Sequence, residues 1–215
     1  MPSASSFPRL RLAAEGLGVE RGGRLLARNL SLAIASGEAL VVTGPNGAGK
    51  SSLLRVLAGL LRPAAGAVRL EGLMADDDPA PGAHAHYVGH AEAQKPSLTA
   101  TENLEFWRAM LGGNAHPGRT PAEALAALSI GHAADIPAGY LSAGQKRRLA
   151  LARLLVAPRP VWLLDEPATA LDAATQERLA ALMAEHLTDG GLIVAATHAP
   201  LGLESARELR LGARS

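Results

Sequence analysis

The stretch Gly44-Pro45-Asn46-Gly47-Ala48-Gly49-Lys50-Ser51 decides the fold of this chain. It has the pattern G-x-x-x-x-G-K-[ST], and it lies between the apolar run Ala39–Thr43 and a helical pattern over Ser52–Leu61. A strand, loop and helix in this order predict a phosphate-binding loop. Its glycines let backbone N–H groups turn toward phosphates, and the helix adds the positive end of its dipole. In such a loop Lys50 contacts the β and γ phosphates and the Ser51 hydroxyl is a ligand of Mg²⁺.

We expect the whole loop to bind the nucleotide, and the helix beginning at Ser52 to extend the site. The alternative is a glycine-rich turn that carries a lysine by accident. At average residue usage the four fixed positions coincide in about one chain per hundred of this size, before the flanking strand and helix are required. The accidental explanation is therefore rejected.

Length and composition limit the other function classes. The chain has 215 residues, 48% of them hydrophobic, which suffices for one domain with a lobe. Its 21 Lys and Arg against 20 Asp and Glu leave a formal net charge of +1, so no global field attracts nucleic acid or an anionic membrane. The absence of cysteine excludes disulfides and thiolate metal sites.

Membrane insertion and secretion are not expected either. The longest apolar stretches, such as Leu192–Ala196, fall far short of the roughly 20 residues that a membrane helix needs. Residues Met1–Leu12 include Ser, Pro and Arg without an apolar segment, which predicts no secretory signal.

Short apolar runs bounded by turn residues predict a mainly parallel central sheet. They alternate with helical patterns, which is typical of an α/β fold with helices on both faces of the sheet. The N-terminal segment Leu10–Ala35 predicts an antiparallel β subdomain. We expect a single domain over residues 1–215, with a core of 10–98 and 157–211 and a helical lobe of 99–156. The predicted strands are Ala39–Thr43, His86–Val88, Val161–Leu164 and Leu192–Ala196, and the predicted helices are Lys50–Leu61, Thr99–Met110, Pro121–Leu128, Ser142–Val156 and Ala173–Leu187.

Two carboxylates follow the buried strand Val161–Leu164 directly. The carboxyl ends of strands are where doubly wound sheets bind their ligands. We assign Asp165 to Mg²⁺, a cation that prefers oxygen ligands, and Glu166 to the attacking water. The alternative is that Asp165-Glu166-Pro167 merely ends a strand, and the phosphate-binding loop upstream argues against it.

The segment Leu141-Ser142-Ala143-Gly144-Gln145 is the most discriminating motif. As S-x-x-Q it is a capping box, in which Ser142 and Gln145 close the N-terminus of a helix. The same helix end, with the Gly144 N–H, is also a candidate anion site.

Together these motifs resemble the ATP-binding cassette family of transporter ATPases. Leu141–Gln145 stands as the signature, and Asp165-Glu166-Pro167 follows it at the family's spacing. Ala170-Leu171-Asp172 is similar to the family's D-loop, and His198, after Thr197, stands where the family contacts the γ-phosphate. The resemblance spans about Leu10–Leu211.

The resemblance implies a homodimer. Two subunits sandwich two ATP molecules, and each phosphate-binding loop faces the signature helix of the opposite subunit. Lys50, Ser142, Gly144, Gln145, Asp172 and His198 then contribute to nucleotide sites, and hydrolysis opens the sandwich because ADP lacks the bridging γ-phosphate.

Two positions depart from the family's pattern. Arg21 stands where an aromatic residue usually contacts the adenine, so either a guanidinium stacks on the base or base selectivity is altered. His90 stands at the position of a glutamine that lies near Mg²⁺ or water, and Gln94 is its competitor for that role. The cluster His84, His86 and His90 invites a metal site, but the preferred interpretation is that they are surface and loop histidines.

The run Leu141–Leu154 and Tyr87-Val88-Gly89-His90 resemble one branch of the family, the ATPases of bacterial cytochrome c maturation. The branch implies a peripheral subunit on the cytoplasmic face of the inner membrane. Its implied partners are CcmB-like and CcmC-like membrane subunits and, through them, a CcmE-like periplasmic haem chaperone. Whether haem itself moves stays open. A groove over His90–Trp107 would receive a membrane subunit, unless Phe106 and Trp107 pack the lobe's own core.

Other function classes are weaker alternatives. Another importer or exporter would differ in its membrane partner. A soluble cassette protein of DNA repair or translation usually carries coiled coils, tandem cassettes or basic extensions, which this sequence lacks. A kinase or GTPase would leave the signature unexplained, and no Asn-Lys-x-Asp guanine motif is present.

Overall fold

The computed structural model describes residues 7–75, 77, 80–91, 93–111 and 118–212. These residues form two compact units. The first contains the described parts of Met1–Gly89, Pro160–Glu166 and Met183–Ser215, and the second contains those of His90–Arg159 and Pro167–Leu182.

The first unit contains two sheets. The antiparallel sheet has the order β2-β1-β4 and the other, in which every pairing is parallel, has the order β5-β6-β7-β3-β8. The predicted α/β class, with its antiparallel N-terminal subdomain, is confirmed. The strands are β1 (Arg11–Arg21), β2 (Arg24–Ala35), β3 (Ala39–Thr43), β4 (Ala65–Glu71), β5 (Ala85–Val88), β6 (Val161–Asp165), β7 (Leu192–Ala196) and β8 (Arg207–Arg210).

Every residue of β6 and of β7 is buried, as expected for central strands of a covered parallel sheet. Helix α1 (Lys50–Leu57) packs against β1, β6 and β7 and shares one apolar core with both sheets. The sequence predicted this helix to continue to Leu61. It ends earlier because Gly59 takes a left-handed φ of 70°, and the next two N–H groups donate to the Arg55 carbonyl.

The strand that carries Asp165 is packed from one side by an aromatic stack. Trp162 on β6 lies parallel to the His186 imidazole, with ring centroids 3.9 Å apart. Burial lowers the pKa of His186 to about 4, so the ring is neutral near pH 7. Gly191 allows this packing, since a Cβ there would lie 2.2 Å from His186 Nε2.

The second unit is helical. Its described helices are α2 (Ala100–Met110), α3 (Pro121–Ala127), α4 (Ala143–Val156) and the first part of α5 (Ala173–Thr188), and α2, α3 and α4 pack on one another. Three of them begin with the same device, a capping box whose pairs are Thr99–Glu102, Thr120–Glu123 and Ser142–Gln145. No helix within the described ranges is long and apolar enough to cross a membrane.

Candidate nucleotide-binding site

The loop after β3 has a backbone that only glycine tolerates. Gly44 has a φ of 136°, and a Cβ there would lie 2.4 Å from the Leu211 carbonyl oxygen. Gly49 has a φ of 101°, and its Cβ would lie 2.9 Å from Leu26 Cβ. Side chains at these positions would therefore distort the loop by strain and by collision.

Helix α1 starts with its backbone donors available. Gly49 is the residue before the helix and provides no side-chain cap, because it has no side chain. The first N–H groups of a helix have no partners within the helix, and together with the dipole they attract an anion. The first turn, which includes Ser51 and Ser52, thus offers the backbone donors of a phosphate site.

The ammonium group of Lys50 is held inside the loop. Nζ donates to the carbonyl oxygens of Gly44 at 2.8 Å and Pro45 at 3.3 Å, and only 8% of the residue is exposed. The same Nζ lies 2.8 Å from His198 Nε2. The charge is therefore at the mouth of the cradle, where phosphate oxygens would contact it.

His198 follows β7 and joins the loop to the carboxylate pair. Its Nε2 lies 3.2 Å from Asn46 Oδ1 and 3.9 Å from Glu166 Oε1. The buried Thr197 shapes this turn, since its hydroxyl oxygen accepts the Ala199 N–H at 3.0 Å. The first unit thus brings Lys50, Glu166 and His198 together from three separate segments.

Asp165 and Glu166 stand at the carboxyl end of β6. Asp165 is buried, whereas Glu166 is half-buried and takes a left-handed φ of 48°, which is uncommon for a residue with a side chain. Glu166 N–H donates to the Ala196 carbonyl at 2.8 Å, which holds this conformation against β7. Strained backbone of this kind occurs often at functional sites.

A cavity of about 310 Å³ lies over these groups. Arg21 and Leu26 form part of its wall, and the loop and both carboxylates form the rest. Arg21 is thus beside the cavity as expected, and it is exposed. The described lining residues are Arg21, Leu26, Asn46, Gly47, Gly49, Lys50, Ser51, Ser52, Asp165 and Glu166.

The residues in this cavity fit both MgATP components. The glycine-restricted loop and the uncapped helix supply N–H donors for phosphates, and Lys50 supplies a cation. Ser51 and Asp165 supply a hydroxyl and a carboxylate oxygen, the donor types that Mg²⁺ takes when substrate phosphates complete its coordination.

Sequence reasoning missed Tyr87. Its hydroxyl accepts a hydrogen bond from Arg55 Nε at 3.2 Å and donates to Asp165 Oδ2 at 3.4 Å. Burial raises the pKa of Tyr87, so the phenol retains its proton. No sequence signal points to it, because its contact with Asp165 depends on the pairing of β5 with β6.

In the second unit the signature motif caps α4. Ser142 Oγ accepts the Gln145 N–H at 3.2 Å, and Gln145 Oε1 accepts the Ser142 N–H at 2.9 Å. Gly144 allows a close approach, because a Cβ there would lie 3.0 Å from the Ala170 carbonyl oxygen. The predicted capping box is confirmed, and Ser142 is exposed.

Asp172 caps the start of α5. Its carboxylate accepts the Thr175 N–H at 2.8 Å and pairs with Arg148. Hydrogen bonds from Thr175 and then the Arg148 charge lower the pKa of Asp172. This explains its position before the helix independently of any nucleotide.

His90 and Gln94 differ in their surroundings. His90 is exposed, whereas the Gln94 side-chain amide donates to the Lys146 carbonyl in the first turn of α4. Gln94 is therefore held on the signature helix.

Phe106 and Trp107 lie on α2, half-buried and edge to face with centroids 5.7 Å apart. Lys95 Nζ lies 4.6 Å from the centre of the Phe106 ring, and the Arg153 guanidinium 4.4 Å from that of Trp107. These rings thus carry cations on a partly exposed surface.

With this geometry established, the chain can be placed among known proteins. A family model described as ABC transporter matches residues 27–169, and the chain belongs to the ABC transporter family. It is therefore an ABC ATPase subunit that binds ATP. Cytochrome c biogenesis ATP-binding export protein CcmA of Rhodopseudomonas palustris (strain BisB5) is 55% identical to it, over 94% of this chain and 98% of that protein. The protein of the same name from Nitrobacter winogradskyi is 54% identical, with the same coverage.

Solved structures share the fold. The ATP-binding cassette MJ0796, in a dimeric post-hydrolysis state bound to ADP and phosphate, has a TM-score of 0.77 and 26% identity, with 93% of this chain and 94% of that chain covered. A putative ABC transporter ATP-binding protein from Pyrococcus furiosus has a TM-score of 0.77 at 20% identity, over 95% of this chain and 99% of that chain.

Proposed function

We propose that this chain is the ATP-hydrolysing subunit of an ABC transporter that serves cytochrome c maturation. The observation that carries the ATPase part is that Lys50, Asp165 and Glu166 line one cavity, while His198 lies within 4 Å of both Lys50 and Glu166. The cytochrome c part is supported by relatives that are more than half identical over nearly the whole chain and are named for that process.

Each side chain then has a role in hydrolysis. Lys50 binds the β and γ phosphates with a charge that the loop already holds in place. Glu166 orients the attacking water and accepts its proton, and His198, which lies beside Lys50 and Glu166, donates to the γ-phosphate. Mg²⁺, held by Ser51 and Asp165, would neutralise charge on the phosphates.

The rest of the nucleotide site would come from a second copy of the chain. In that arrangement Ser142, Gly144 and Gln145 of one subunit, with Asp172 nearby, complete the cavity of the other. Arg21 would stack on the base, and His90, or its competitor Gln94, would take the place of the usual glutamine near Mg²⁺ or water. The chain would form a single domain over residues 1–215 with a helical lobe of 99–156.

Further parts of the proposal concern partners and location. The half-buried Phe106 and Trp107, each with a cation beside its ring, form a surface that suits a short helix of a CcmB-like or CcmC-like membrane subunit. The complex would sit at the cytoplasmic face of the inner membrane and act on a CcmE-like haem chaperone. Hydrolysis would drive haem export or release of the loaded chaperone.

Substitution Glu166→Gln tests the hydrolysis mechanism. The amide keeps the shape of the side chain but cannot take a proton, so hydrolysis should fall by about 10²- to 10⁴-fold while ATP binding is retained. Because ATP is then not consumed, a dimer should accumulate in light scattering. The control is Glu177→Gln, which alters an exposed carboxylate on α5 and should leave the rate unchanged.

Two results would overturn this mechanism. Full hydrolysis by the Glu166→Gln variant would show that Glu166 is not the general base. Absence of an ATP-dependent dimer, even with the membrane partner present, would contradict a nucleotide site that is shared by two subunits.

The cytochrome c assignment has its own experiment. The chain is expressed with the CcmB-like and CcmC-like subunits and the haem-loaded CcmE-like chaperone, and release of the chaperone is followed with ATP. Release should need ATP and should fail with Glu166→Gln. Stable co-purification with the membrane subunit of another transporter, and none with these, would contradict the assignment.

A further inference from the structure

Tyr87 connects the phosphate-binding helix to the carboxylate of Asp165. The phenol stands on β5, which pairs in parallel with β6, and its ring is half-buried. Its hydroxyl lies between two partners, with Arg55 Nε at 3.2 Å as donor and Asp165 Oδ2 at 3.4 Å as acceptor. Because the phenol oxygen accepts from Arg55, the phenol proton points toward the Asp165 carboxylate.

The local sequence makes room for this ring. Residue 89 is glycine, and a Cβ there would lie 2.7 Å from Tyr87 Cε1 and 2.8 Å from its hydroxyl oxygen. Such distances are too short for a side-chain atom, so any larger residue would displace the phenol. The Tyr87-Val88-Gly89 segment thus holds the ring beside Asp165.

Arg55 extends the connection to the loop. It lies four residues after Ser51 on α1, and residues at this spacing share a helix face. Tyr87 thus links Asp165 to Arg55, which lies on the same face of α1 as Ser51, the other oxygen ligand assigned to Mg²⁺. The link is built from side chains that do not themselves line the described cavity.

We propose that Tyr87 is a positioning residue that orients the Asp165 carboxylate for the divalent cation. The inference rests on the proposed function, because it takes Asp165 as the metal ligand. Hydrogen-bond partners of metal ligands typically change metal affinity or activity by about 10- to 100-fold when removed. At 3.4 Å the bond to Asp165 is long, and we expect the lower end of that range.

The test compares the two tyrosines of the chain. Tyr87→Phe removes only the hydroxyl, and Tyr140→Phe makes the same change at an exposed position. Binding of Mn²⁺ in the presence of ATP is measured by electron paramagnetic resonance, and binding of ATP alone is measured in EDTA. Tyr87→Phe should weaken Mn²⁺ binding about tenfold, leave metal-free ATP binding unchanged, and regain most of its hydrolysis rate at high Mg²⁺. Tyr140→Phe should match the unaltered chain.

A second pair of variants separates the two proposals. Asp165→Asn in the same assay reports whether Asp165 binds the metal at all. Weaker Mn²⁺ binding in Asp165→Asn but not in Tyr87→Phe would overturn the positioning role and leave the proposed function intact. Unchanged binding in Asp165→Asn would overturn the metal assignment, and the role of Tyr87 with it. Gly89→Ala, which displaces the ring, should reproduce the metal effect of Tyr87→Phe with the hydroxyl still present.

Discussion

Two helices of this chain begin at motifs that suit an anion, and they begin in opposite ways. Helix α1 follows Gly49, which is left-handed and offers no side-chain cap. Helix α4 follows Ser142, whose hydroxyl and whose partner Gln145 satisfy each other's backbone donors. The first N-terminus is therefore ready for a phosphate within its own unit. The second is closed, and it must exchange a hydrogen bond or use its exposed hydroxyl to bind one.

Substitutions at the uncapped N-terminus of α1, which we call the open end, should have the largest effect on ATP binding and hydrolysis. Lys50→Met removes the cation at the mouth of the cradle but keeps an unbranched side chain, so nucleotide binding should weaken strongly and hydrolysis fall by more than about 100-fold. Binding of a fluorescent ATP analogue and phosphate release measure the two effects. Lys95→Met, at an exposed lysine, should retain ATP binding in the isolated chain. Equal loss in both variants would contradict the assigned role of Lys50.

The backbone of the open end can be tested without touching a charge. Gly49→Ala forces a side chain into a left-handed φ and places its Cβ against Leu26, so stability should fall by about 1–3 kcal/mol and ATP affinity with it. The comparison variant is Gly131→Ala, since that glycine has open space around it and an ordinary φ. Chemical denaturation and ATP titration give both quantities. A Gly49→Ala variant as stable as Gly131→Ala would show that the loop geometry is not required.

The capped N-terminus of α4, the closed end, has an internal control in α3, which begins with the same kind of capping box. Ser142→Ala and Thr120→Ala remove the same capping hydrogen bond from α4 and α3, and each should cost about 1 kcal/mol of stability. If Ser142 also serves the nucleotide of a second subunit, only Ser142→Ala should lose hydrolysis, while ATP binding by the single subunit stays. Equal ATPase rates in the two variants would show that Ser142 serves only as the N-cap of α4.

The sequence predicted the central strands and the capped helices well, for physical reasons. Runs such as Leu192–Ala196 are apolar at every position because both sheet faces are covered, and S-x-x-Q determines a helix start locally. Helix α1 was predicted four residues too long, since the left-handed Gly59 ends it within an apolar run.

Contacts that depend on strand order could not be predicted. Tyr87 reaches Asp165 only because β5 pairs with β6, and 72 residues lie between the end of β5 at Val88 and the start of β6 at Val161. His198 meets Lys50 for a similar reason, since β7 lies beside β3 in the sheet. No local pattern specifies either neighbour. The resemblance to a family suggested a role for His198, and nothing comparable pointed to Tyr87.

We expect the smallest effect from the pH dependence of stability, because the capping box of α3 contains Glu123 and that of α4 contains Gln145. Hydrogen bonds from the backbone and hydroxyl of Thr120 lower the pKa of Glu123 in the folded chain, whereas the equivalent residue of α4 is Gln145 and cannot titrate. A lowered folded-state pKa means that the stabilisation is present above the unfolded value of about 4.3 and is lost as pH falls through the folded value. Glu123→Gln should therefore be less stable than the unaltered chain at pH 7, and the difference should vanish in acid.

Denaturation between pH 7 and pH 3 measures that difference. The reciprocal variant Gln145→Glu places a titratable carboxylate in the cap of α4, so its stability relative to the unaltered chain should decline as pH falls. If the stability differences of both variants from the unaltered chain did not depend on pH, ionisation of the capping carboxylate would not contribute to stability. If the difference vanishes in acid as expected, the capped helix ends are equivalent there, and only the uncapped start of α1 stands apart.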